Sequence, residues 1–458
     1  MSLMVSISGI RGIVGTSLTP EVVVKYASAF GEYCKRGTIV IGRDGRITGR
    51  SIAHLVSSTL LNMGCDVIDL GICPTPTVAL AVEKKKAAGG ISITASHNPM
   101  MWNGLKFFGH TGLFLDAQEN SVLWAIADRS NREYVPWDKQ GNYDALESFL
   151  DDHIAAVLSI PAVRPESIKK RQFKVVLDCV NAAGGTIVPK LLKQLGCSVV
   201  EMNCDISGIF SHTPEPIPEN LTDLCRRVKK EKANIGIAVD PDVDRLVLID
   251  ERGEPFGEEY TIANAVKFVL DQESSRKAKS KSVVVNLSTT RAVADIAALH
   301  GFSTVRTPVG EINVAKKMKE IGAIVGGEGS GGVILSSVHF GRDAMVGIVL
   351  TLQHLADFGG TVSELKKTMP QYFITKGKVD IGKLNPDRVL GYLKDRHAAN
   401  GVVNTDDGLK IDFSDSWVHL RKSNTEPIVR IIAEAREKKA ADKLVDEFTK
   451  EIWRVPAA

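Results

Sequence analysis

Apolar and polar positions along the chain follow a pattern that occurs three times. In each occurrence a short apolar run ends in a polar turn, an amphipathic stretch follows, and a glycine precedes a second apolar run. The first apolar runs are residues 38–41, 173–177 and 282–287, and the glycines are Gly64, Gly196 and Gly301. Glycine is common after a helix C-terminus because it adopts the left-handed conformation readily. The order strand, turn, helix, glycine, strand therefore predicts three similar α/β modules.

A different pattern occupies the last ninety or so residues. After Met369 and Pro370, three strand-like runs precede a charged helix predicted from Lys438 to Trp453. The runs are residues 374–379, 409–413 and 429–433. This part of the chain is predicted to be a separate α+β domain.

Polar, proline-containing stretches around residue 160 indicate a domain boundary. They flank a helix that we predict from Tyr143 to Ser159. The predicted fold class is α/β, with three similar α/β modules containing mixed sheets and a C-terminal α+β domain. The predicted domains are residues 1–160, 161–257, 258–369 and 370–458.

Length and composition limit the class of protein. The chain has 458 residues, 44% hydrophobic and 24% charged positions, and 40 glycines, which is the profile of a soluble multidomain α/β enzyme. A formal net charge of +3 is too small to indicate a nucleic-acid partner. No apolar run reaches the roughly 18–20 residues of a membrane span, and residues 1–15 lack a secretory signal pattern, so we expect a cytoplasmic location. Seven cysteines without Cys-x-x-Cys spacing predict buried thiols.

The apolar run that begins at Ile91 ends abruptly in the polar sequence Thr-Ala-Ser-His-Asn-Pro. Because Pro99 restricts the residue before it to extended or turn conformations, we expect Ser96 to be exposed at the end of a strand. A plain polar turn is the alternative. His97 beside Ser96 raises the possibility of a serine hydrolase. We reject it because neighbours in an extended segment face opposite sides and no Gly-x-Ser-x-Gly motif is present.

A second apolar run, residues 236–239, leads into three carboxylates at alternate positions. Asp240, Asp242 and Asp244 provide the hard oxygen ligands that magnesium prefers. An EF-hand calcium loop is the competing interpretation. It is disfavoured because Arg245 occupies the position that requires glycine, and an apolar run follows directly.

Two further loops carry groups suited to a phosphorylated sugar. In the glycine-rich stretch 326–332, Glu328 argues against phosphate binding, and Glu328 with Ser330 suits sugar hydroxyls, with a simple tight turn as the alternative. Residues 421–427 combine two cations with short polar side chains, which suits a phosphate monoester, with an ordinary surface loop as the alternative. Arg430 is a candidate for an additional phosphate contact. Near the N-terminus, a glycine-rich turn carries Arg11.

Together these motifs resemble the α-D-phosphohexomutases, which include phosphoglucomutase, phosphomannomutase and phosphoglucosamine mutase. The motifs occur in the family's order along essentially the whole chain. The resemblance implies four domains around a central cleft. It also implies that Ser96 is the phosphoserine and a magnesium ligand with the three aspartates, that Lys106 is the general acid/base, and that Glu328 and Ser330 orient the sugar. The substrate's distal phosphate would be bound by Arg421, Ser423, Asn424 and Thr425. Arg11, His97 and Arg245 are further catalytic candidates.

The implied activity is interconversion of hexose 1-phosphates and 6-phosphates through the phosphoserine and a 1,6-bisphosphate. The expected cofactors are one magnesium ion per chain and the bisphosphate activator. The expected partner is a phosphosugar, and we expect no binding to nucleic acid or membranes. The protein is expected to be a monomer or a homodimer. A magnesium-dependent sugar-phosphate phosphatase and a non-catalytic phosphosugar sensor are the alternatives. The chain departs from relatives at Gly332, where they usually carry histidine. We therefore expect tolerance at sugar C2.

Overall fold

The computed structural model describes residues 3–272, 279–382, 384–423 and 427–455. In that part of the chain the strands are β1 Met4–Ser6, β2 Gly9–Ile13, β3 Ile39–Arg43, β4 Val67–Ile72, β5 Gly89–Ile93, β6 Trp102–Gly109, β7 Tyr143–Ala145, β8 Lys174–Asp178, β9 Ser198–Met202, β10 Ile235–Val239, β11 Leu246–Ile249, β12 Ser282–Asn286, β13 Ser303–Thr307, β14 Val325–Glu328, β15 Gly332–Leu335, β16 Phe373–Asp380, β17 Val402–Asn404, β18 Leu409–Asp412, β19 Ser416–Lys422 and β20 Ile428–Ala435.

The helices cover the faces and ends of the sheets formed by these strands. They are α1 Pro20–Tyr33, α2 Gly49–Asn62, α3 Thr75–Lys85, α4 Ala117–Ala127, α5 Phe149–Leu158, α6 Pro165–Arg171, α7 Gly184–Gln194, α8 Thr222–Glu231, α9 Glu258–Asp271, α10 Arg291–Leu299, α11 Glu311–Ile321, α12 Ala344–Phe358, α13 Val362–Lys367, α14 Pro386–His397 and α15 Lys438–Ile452, with a 3₁₀ turn at Pro218–Asn220. Within the described residues, none of these helices has the length and apolar character required to cross a membrane.

The predicted threefold repeat is present as one sheet order used three times. The order is β6-β5-β3-β4 in the first module, β11-β10-β8-β9 in the second and β15-β14-β12-β13 in the third. Within each of these four-strand orders the first three strands along the chain are parallel and the next strand is antiparallel. The sheet of the first module also contains β1 and β2 beside β6, and β7 beside β4. The predicted α/β class with mixed sheets is confirmed. Each loop between the last parallel strand and the antiparallel strand therefore lies at an equivalent position.

Local signals at the first helix act as the sequence indicates. Thr19 caps α1 by accepting a hydrogen bond from the backbone N–H of Val22, and Pro20 occupies the first turn, where its missing N–H is tolerated.

The predicted helix from Tyr143 is wrong at its start. Residues Tyr143–Ala145 form a strand that pairs in parallel with β4, and the helix begins at Phe149. Pairing with a sheet edge outweighs the weak helical pattern there.

The C-terminal domain is an antiparallel sheet in the order β16-β20-β19-β18-β17. The three strands that the pattern predicts are present as β16, β18 and β20. Two more strands, β17 and β19, and helix α14 were not predicted. Phe448 and Ile452 of α15 are buried in the same core as Ile431 of β20, so the helix covers one face of the sheet.

One hydrophobic cluster extends through the first three modules, beside smaller separate clusters. Val78, Leu191 and Ile348, from three different modules, belong to one buried cluster, whereas the C-terminal domain has a core of its own. Two backbone hydrogen bonds fix the equivalent loops against one another. Thr75 donates to the carbonyl of Asp242 over 2.9 Å, and Leu246 donates to the carbonyl of Gly331 over 3.0 Å. This packing fixes the loops that follow β5, β10 and β14 relative to one another.

Candidate active site

Ser96 lies in the loop that follows β5, and its surroundings differ from the sequence prediction. Its side chain is buried, with 2% exposure, rather than exposed. The backbone adopts φ +49°, a left-handed conformation that costs an L-residue about 1–2 kcal/mol. The backbone N–H of Ser96 donates to Thr94 Oγ1 over 2.9 Å. Strained backbone of this kind persists where surrounding contacts hold it, and it is frequent at functional sites.

Arg46, which sequence reasoning missed, holds this loop in place. Its guanidinium is fully buried and donates to the backbone carbonyls of residues 96, 98, 99 and 102 over 2.6–2.8 Å. Asp44 balances the charge at 2.9 Å and also accepts a 2.7 Å hydrogen bond from Thr94. Both residues lie in the polar turn after β3. The sequence shows that this turn carries two charged side chains, but it does not show which groups they contact. They make the Ser96 loop a rigid part of the site.

The three aspartates occupy the equivalent loop of the second module, directly after β10. Val243, between them, has φ +60°, so this loop also contains a left-handed residue. Asp240 Oδ1 accepts hydrogen bonds from the backbone N–H groups of Asp244 and Arg245, each over 3.1 Å. Ser96 Oγ donates to Asp240 Oδ2 over 3.2 Å. The serine and the carboxylates, 144 residues apart in sequence, thus form one cluster.

Burial and charge act differently on the members of this cluster. Burial, together with repulsion from Asp244 and Asp242, raises the pKa of Asp240 above its ordinary value. Burial alone would raise the pKa of Asp244 as well, but the Arg342 guanidinium and the Lys106 ammonium hold it below its ordinary value. A site with this concentration of buried carboxylate requires compensating positive charge.

The donor set of the cluster fits a divalent cation. Ligand atoms of Asp240, Asp242 and Asp244 lie within 4.8 Å of one another. Asp242 Oδ1 and Asp244 Oδ1 are buried and have no hydrogen-bond partner among the described residues. Carboxylate oxygens of this kind are suitable magnesium ligands. The other oxygen of Asp242 accepts hydrogen bonds from Lys106 Nζ at 2.6 Å and Thr75 Oγ1 at 2.7 Å, which orient the carboxylate.

His97 contacts Ser96, contrary to the expectation that the two side chains face opposite sides. His97 Nδ1 lies 3.3 Å from Ser96 Oγ because the left-handed conformation of Ser96 breaks the alternation of an extended segment. Burial, together with the Arg245 and Arg11 cations, lowers the pKa of His97 to about 2, so the ring is neutral at physiological pH. Arg11 reaches this loop by donating to Asn98 Oδ1 over 3.3 Å.

Glu328 is the last residue of β14, so it lies on a strand rather than on a flexible loop. Its Oε1 accepts hydrogen bonds from Asn286 Nδ2 at 2.8 Å and from the N–H of Gly310 at 3.0 Å. Its Oε2 accepts one from Arg342 Nη1 at 2.7 Å. Ser330, in the turn that follows, is half-buried. The carboxylate of Glu328 is therefore held in one orientation.

Arg342 is the second residue that sequence reasoning missed. Besides Glu328, its guanidinium contacts Asp244 Oδ2 at 2.6 Å and Glu311 Oε2 at 3.0 Å. It is buried, with 8% exposure. Gly332 lies directly beside it. The Arg342 side chain therefore links the loop of Asp240, Asp242 and Asp244 in the second module (the aspartate loop) to Glu328, the candidate sugar ligand in the third module.

Two of the predicted phosphate-binding residues, Arg421 and Arg430, lie on β19 and β20 of the C-terminal domain. Arg421 contacts both oxygens of Asp407 at 3.0 Å and is the cross-strand neighbour of Arg430, which is exposed. Asp407 also accepts a hydrogen bond from the N–H of Val309 in the third module over 2.9 Å. Ser423 follows β19 directly. Asn424 and Thr425 lie outside the described residues.

Three α/β modules, with a serine beside three buried carboxylates that could hold a divalent cation, are the features of a multidomain α/β enzyme. Four domain profiles of the phosphoglucomutase/phosphomannomutase family match the chain, namely alpha/beta/alpha domains I, II and III at residues 4–133, 151–253 and 258–373 and the C-terminal domain at residues 376–451. The chain belongs to this family and is therefore a phosphohexomutase, an enzyme of the isomerase class. Our boundaries at residues 160, 257 and 369 stay predictions.

Relatives with assigned names are similar over nearly their whole length. A phosphoglucomutase/phosphomannomutase of Thermococcus kodakarensis is 36% identical over 443 residues, covering 95% of each chain. A probable phosphoglucosamine mutase of Methanopyrus kandleri is 34% identical over 444 residues, covering 96% of each. The crystal structure of a phosphoglucomutase/phosphomannomutase family protein from Burkholderia thailandensis has a TM-score of 0.85 at 26% identity, covering 99% of each chain.

Proposed function

We propose that the chain interconverts hexose 1-phosphates and hexose 6-phosphates by way of a phosphoserine at residue 96. The observation that carries this proposal is the meeting of one serine hydroxyl with three carboxylates. Ser96 Oγ lies 3.2 Å from Asp240 Oδ2, and the ligand atoms of the three aspartates lie within 4.8 Å of one another. A phosphoryl group on Ser96 would therefore lie beside a cation site, which is the arrangement that phosphoryl transfer requires.

The proposed reaction consists of two phosphoryl transfers. In the first, the bond between phosphorus and Ser96 Oγ breaks, a bond from phosphorus to the free sugar hydroxyl forms, and the hydroxyl proton passes to a base, for which Lys106 is the candidate. The resulting 1,6-bisphosphate turns around in the cleft. In the second transfer the bond between phosphorus and the oxygen at the other end of the sugar breaks, a bond from phosphorus to Ser96 Oγ forms, and the sugar oxygen takes back the proton that the base had accepted, so phosphate and protons are conserved over the cycle.

Electrostatic stabilisation of the transition state supplies most of the rate enhancement in such transfers, because the protein takes little direct part in the covalent chemistry. Magnesium bound by Asp240, Asp242, Asp244 and phosphorylated Ser96 would supply positive charge to the transferring oxygens. Arg245, whose Nε lies 3.8 Å from Asp244 Oδ1, adds a fixed cation at the same place. Neutral His97, 3.3 Å from Ser96 Oγ, orients the hydroxyl by a hydrogen bond.

Sugar recognition is assigned to Glu328 and Ser330, which we propose contact the equatorial O3 and O4. Glucose, mannose and glucosamine phosphates share this edge and differ at C2, so we propose that the enzyme accepts glucose 1-phosphate and at least one C2 variant. The sequence suggested an open space at Gly332, but the Arg342 side chain fills it, with Cδ 2.2 Å from where a Cβ on Gly332 would lie.

The test is an isomerisation assay on glucose, mannose, glucosamine and galactose 1-phosphates, with magnesium and the matching 1,6-bisphosphate. We expect formation of the 6-phosphate without release of inorganic phosphate, and phosphate mapped to Ser96 by mass spectrometry. Galactose 1-phosphate should be roughly tenfold to a hundredfold poorer in kcat/KM, because its axial O4 leaves buried partners unpaired. Stoichiometric release of inorganic phosphate would identify a phosphatase instead. Phosphate on another residue would refute the assignment of Ser96.

A further inference from the structure

Arg342 makes three ion pairs with carboxylates from a loop, the end of a strand and the start of a helix. Its Nη2 contacts Asp244 Oδ2 at 2.6 Å, its Nη1 contacts Glu328 Oε2 at 2.7 Å, and its Nε contacts Glu311 Oε2 at 3.0 Å. One planar guanidinium thus connects a proposed magnesium ligand with a proposed sugar ligand. The planar fork fixes the directions of all three contacts, which a flexible ammonium would not do.

The position of Arg342 depends on the absence of a side chain at residue 332. A Cβ on Gly332 would lie 2.2 Å from Cδ and 2.9 Å from Cγ of Arg342, closer than any real contact of this kind. Because three carboxylates hold the guanidinium, the side chain cannot move away easily. Gly332 and Arg342 therefore form a matched pair, in which the glycine provides the space that the arginine occupies.

The backbone beneath Arg342 is fixed as firmly as its side chain. The N–H of Arg342 donates to Glu311 Oε1 over 2.8 Å. The next residue, Asp343, caps α12 and accepts hydrogen bonds from two buried histidines, His339 and His153 of α5, and the other ring nitrogen of His153 lies 2.8 Å from Thr77 Oγ1 in the first module. The following N–H, that of Ala344, donates to the carbonyl of Val243 in the aspartate loop over 3.1 Å. Three modules thus meet at this junction.

We propose that Arg342 is a positioning residue that sets the distance and orientation between the Asp244 end of the catalytic cluster and the Glu328 carboxylate that reads the sugar. This inference rests on the proposed function and deepens it. A displacement of about 1 Å between a bound sugar and the transferring group is enough to slow such a reaction roughly a hundredfold. The competing explanation is that Arg342 only neutralises buried carboxylates and stabilises the fold.

Arg342→Met removes the charge and keeps much of the side-chain volume. We expect kcat/KM for glucose 1-phosphate to fall by about tenfold to a hundredfold, and the preference for glucose over galactose 1-phosphate to decrease by at least about threefold, because Glu328 loses its orientation. The matched control is Arg164→Met. Arg164 is an exposed arginine, just before α6, that pairs with Asp357 of α12, and its replacement should leave both quantities unchanged.

Two further variants separate positioning from a purely structural role. Gly332→Ala removes no charged group but should displace Arg342, so it should alter the glucose-to-galactose ratio in the same direction. In a double-mutant cycle, Arg342→Met combined with Glu328→Gln should be little worse than the poorer single variant, because both changes remove one shared interaction. Thermal unfolding of each protein checks that the fold persists.

The outcomes distinguish this inference from the proposed function. If the wild-type enzyme isomerises none of the four sugar phosphates, the proposed function fails. If the wild type is active but Arg342→Met and Gly332→Ala lower kcat/KM equally for all sugars, or the cycle with Glu328→Gln is additive, Arg342 is structural and the inference is wrong. An altered sugar ratio together with a non-additive cycle supports it.

Discussion

Replacing Ser96 by alanine tests the centre of the proposed mechanism. The change removes the oxygen that would carry the phosphoryl group and leaves the three aspartates, Lys106 and the sugar loop in place. We expect turnover to fall by at least about a thousandfold, since no neighbouring group can substitute for the covalent carrier.

The expected effect on stability follows from the contacts of the hydroxyl. Ser96 Oγ is 3.2 Å from Asp240 Oδ2 and 3.3 Å from His97 Nδ1, so its removal leaves a buried carboxylate oxygen with one partner fewer. This loss costs about 1–3 kcal/mol. The backbone contribution is unchanged, because alanine and serine both carry a Cβ at φ +49°.

Ser96→Gly is the matched control for the left-handed backbone. Glycine adopts φ +49° without steric penalty, so this variant should be about 1 kcal/mol more stable than Ser96→Ala while equally inactive. Chemical denaturation measures the difference between the two variants, and the isomerisation assay with added 1,6-bisphosphate measures turnover. A Ser96→Ala protein with a tenth or more of the wild-type rate would show that the carrier lies elsewhere. Equal stabilities of the alanine and glycine variants would contradict the left-handed conformation.

Three further predictions follow from the site and the C-terminal domain. Asp242→Asn should lower activity by at least about a hundredfold, and excess chelator should abolish wild-type turnover, because the carboxylate cluster must hold the cation; full activity in chelator would refute the magnesium requirement. Arg421→Ala should raise KM by about tenfold, as measured in initial-rate assays, because a charge-assisted contact to the distal phosphate is lost; an unchanged KM would remove Arg421 from the binding site. Lys410 is fully buried, and burial together with repulsion from Arg306 lowers its pKa to about 7. Between pH 7 and pH 9 Lys410 keeps its proton in the unfolded state but loses it in the folded state. In denaturation experiments the stability of the wild type should therefore rise relative to that of Lys410→Met by up to about 2–3 kcal/mol over this range. A stability difference that stays constant with pH would contradict the lowered pKa of Lys410.

Much of the architecture could be predicted from local pattern. Short apolar runs, glycine-terminated amphipathic stretches and capping residues such as Thr19 depend on neighbours within one or two turns of chain, so the sequence alone indicates three α/β modules and a different C-terminal domain. The edge strand at Tyr143–Ala145 was missed because its conformation depends on pairing with β4. Its first residue, Tyr143, pairs with Val67, which lies 76 residues earlier in the chain. Edge pairing is a tertiary property that periodicity does not report.

The chemical types in the candidate site were likewise readable, because a serine at a strand end, three alternating aspartates and a glutamate among glycines are short motifs. Their arrangement was not. The burial of Ser96 and its contact with His97 follow from a left-handed residue held by Arg46, whose targets lie about fifty residues further along the chain.

The role of Arg342 was hidden for the same reason. It contacts Asp244, 98 residues earlier in the chain, and it occupies the space above Gly332, which in sequence is simply one more glycine. The sequence by itself determined which chemical groups are available and on which modules they lie. Only the packing of the modules decided which groups meet, because contacts between distant residues depend on how whole sheets and helices fill a common core, and no local pattern encodes that geometry.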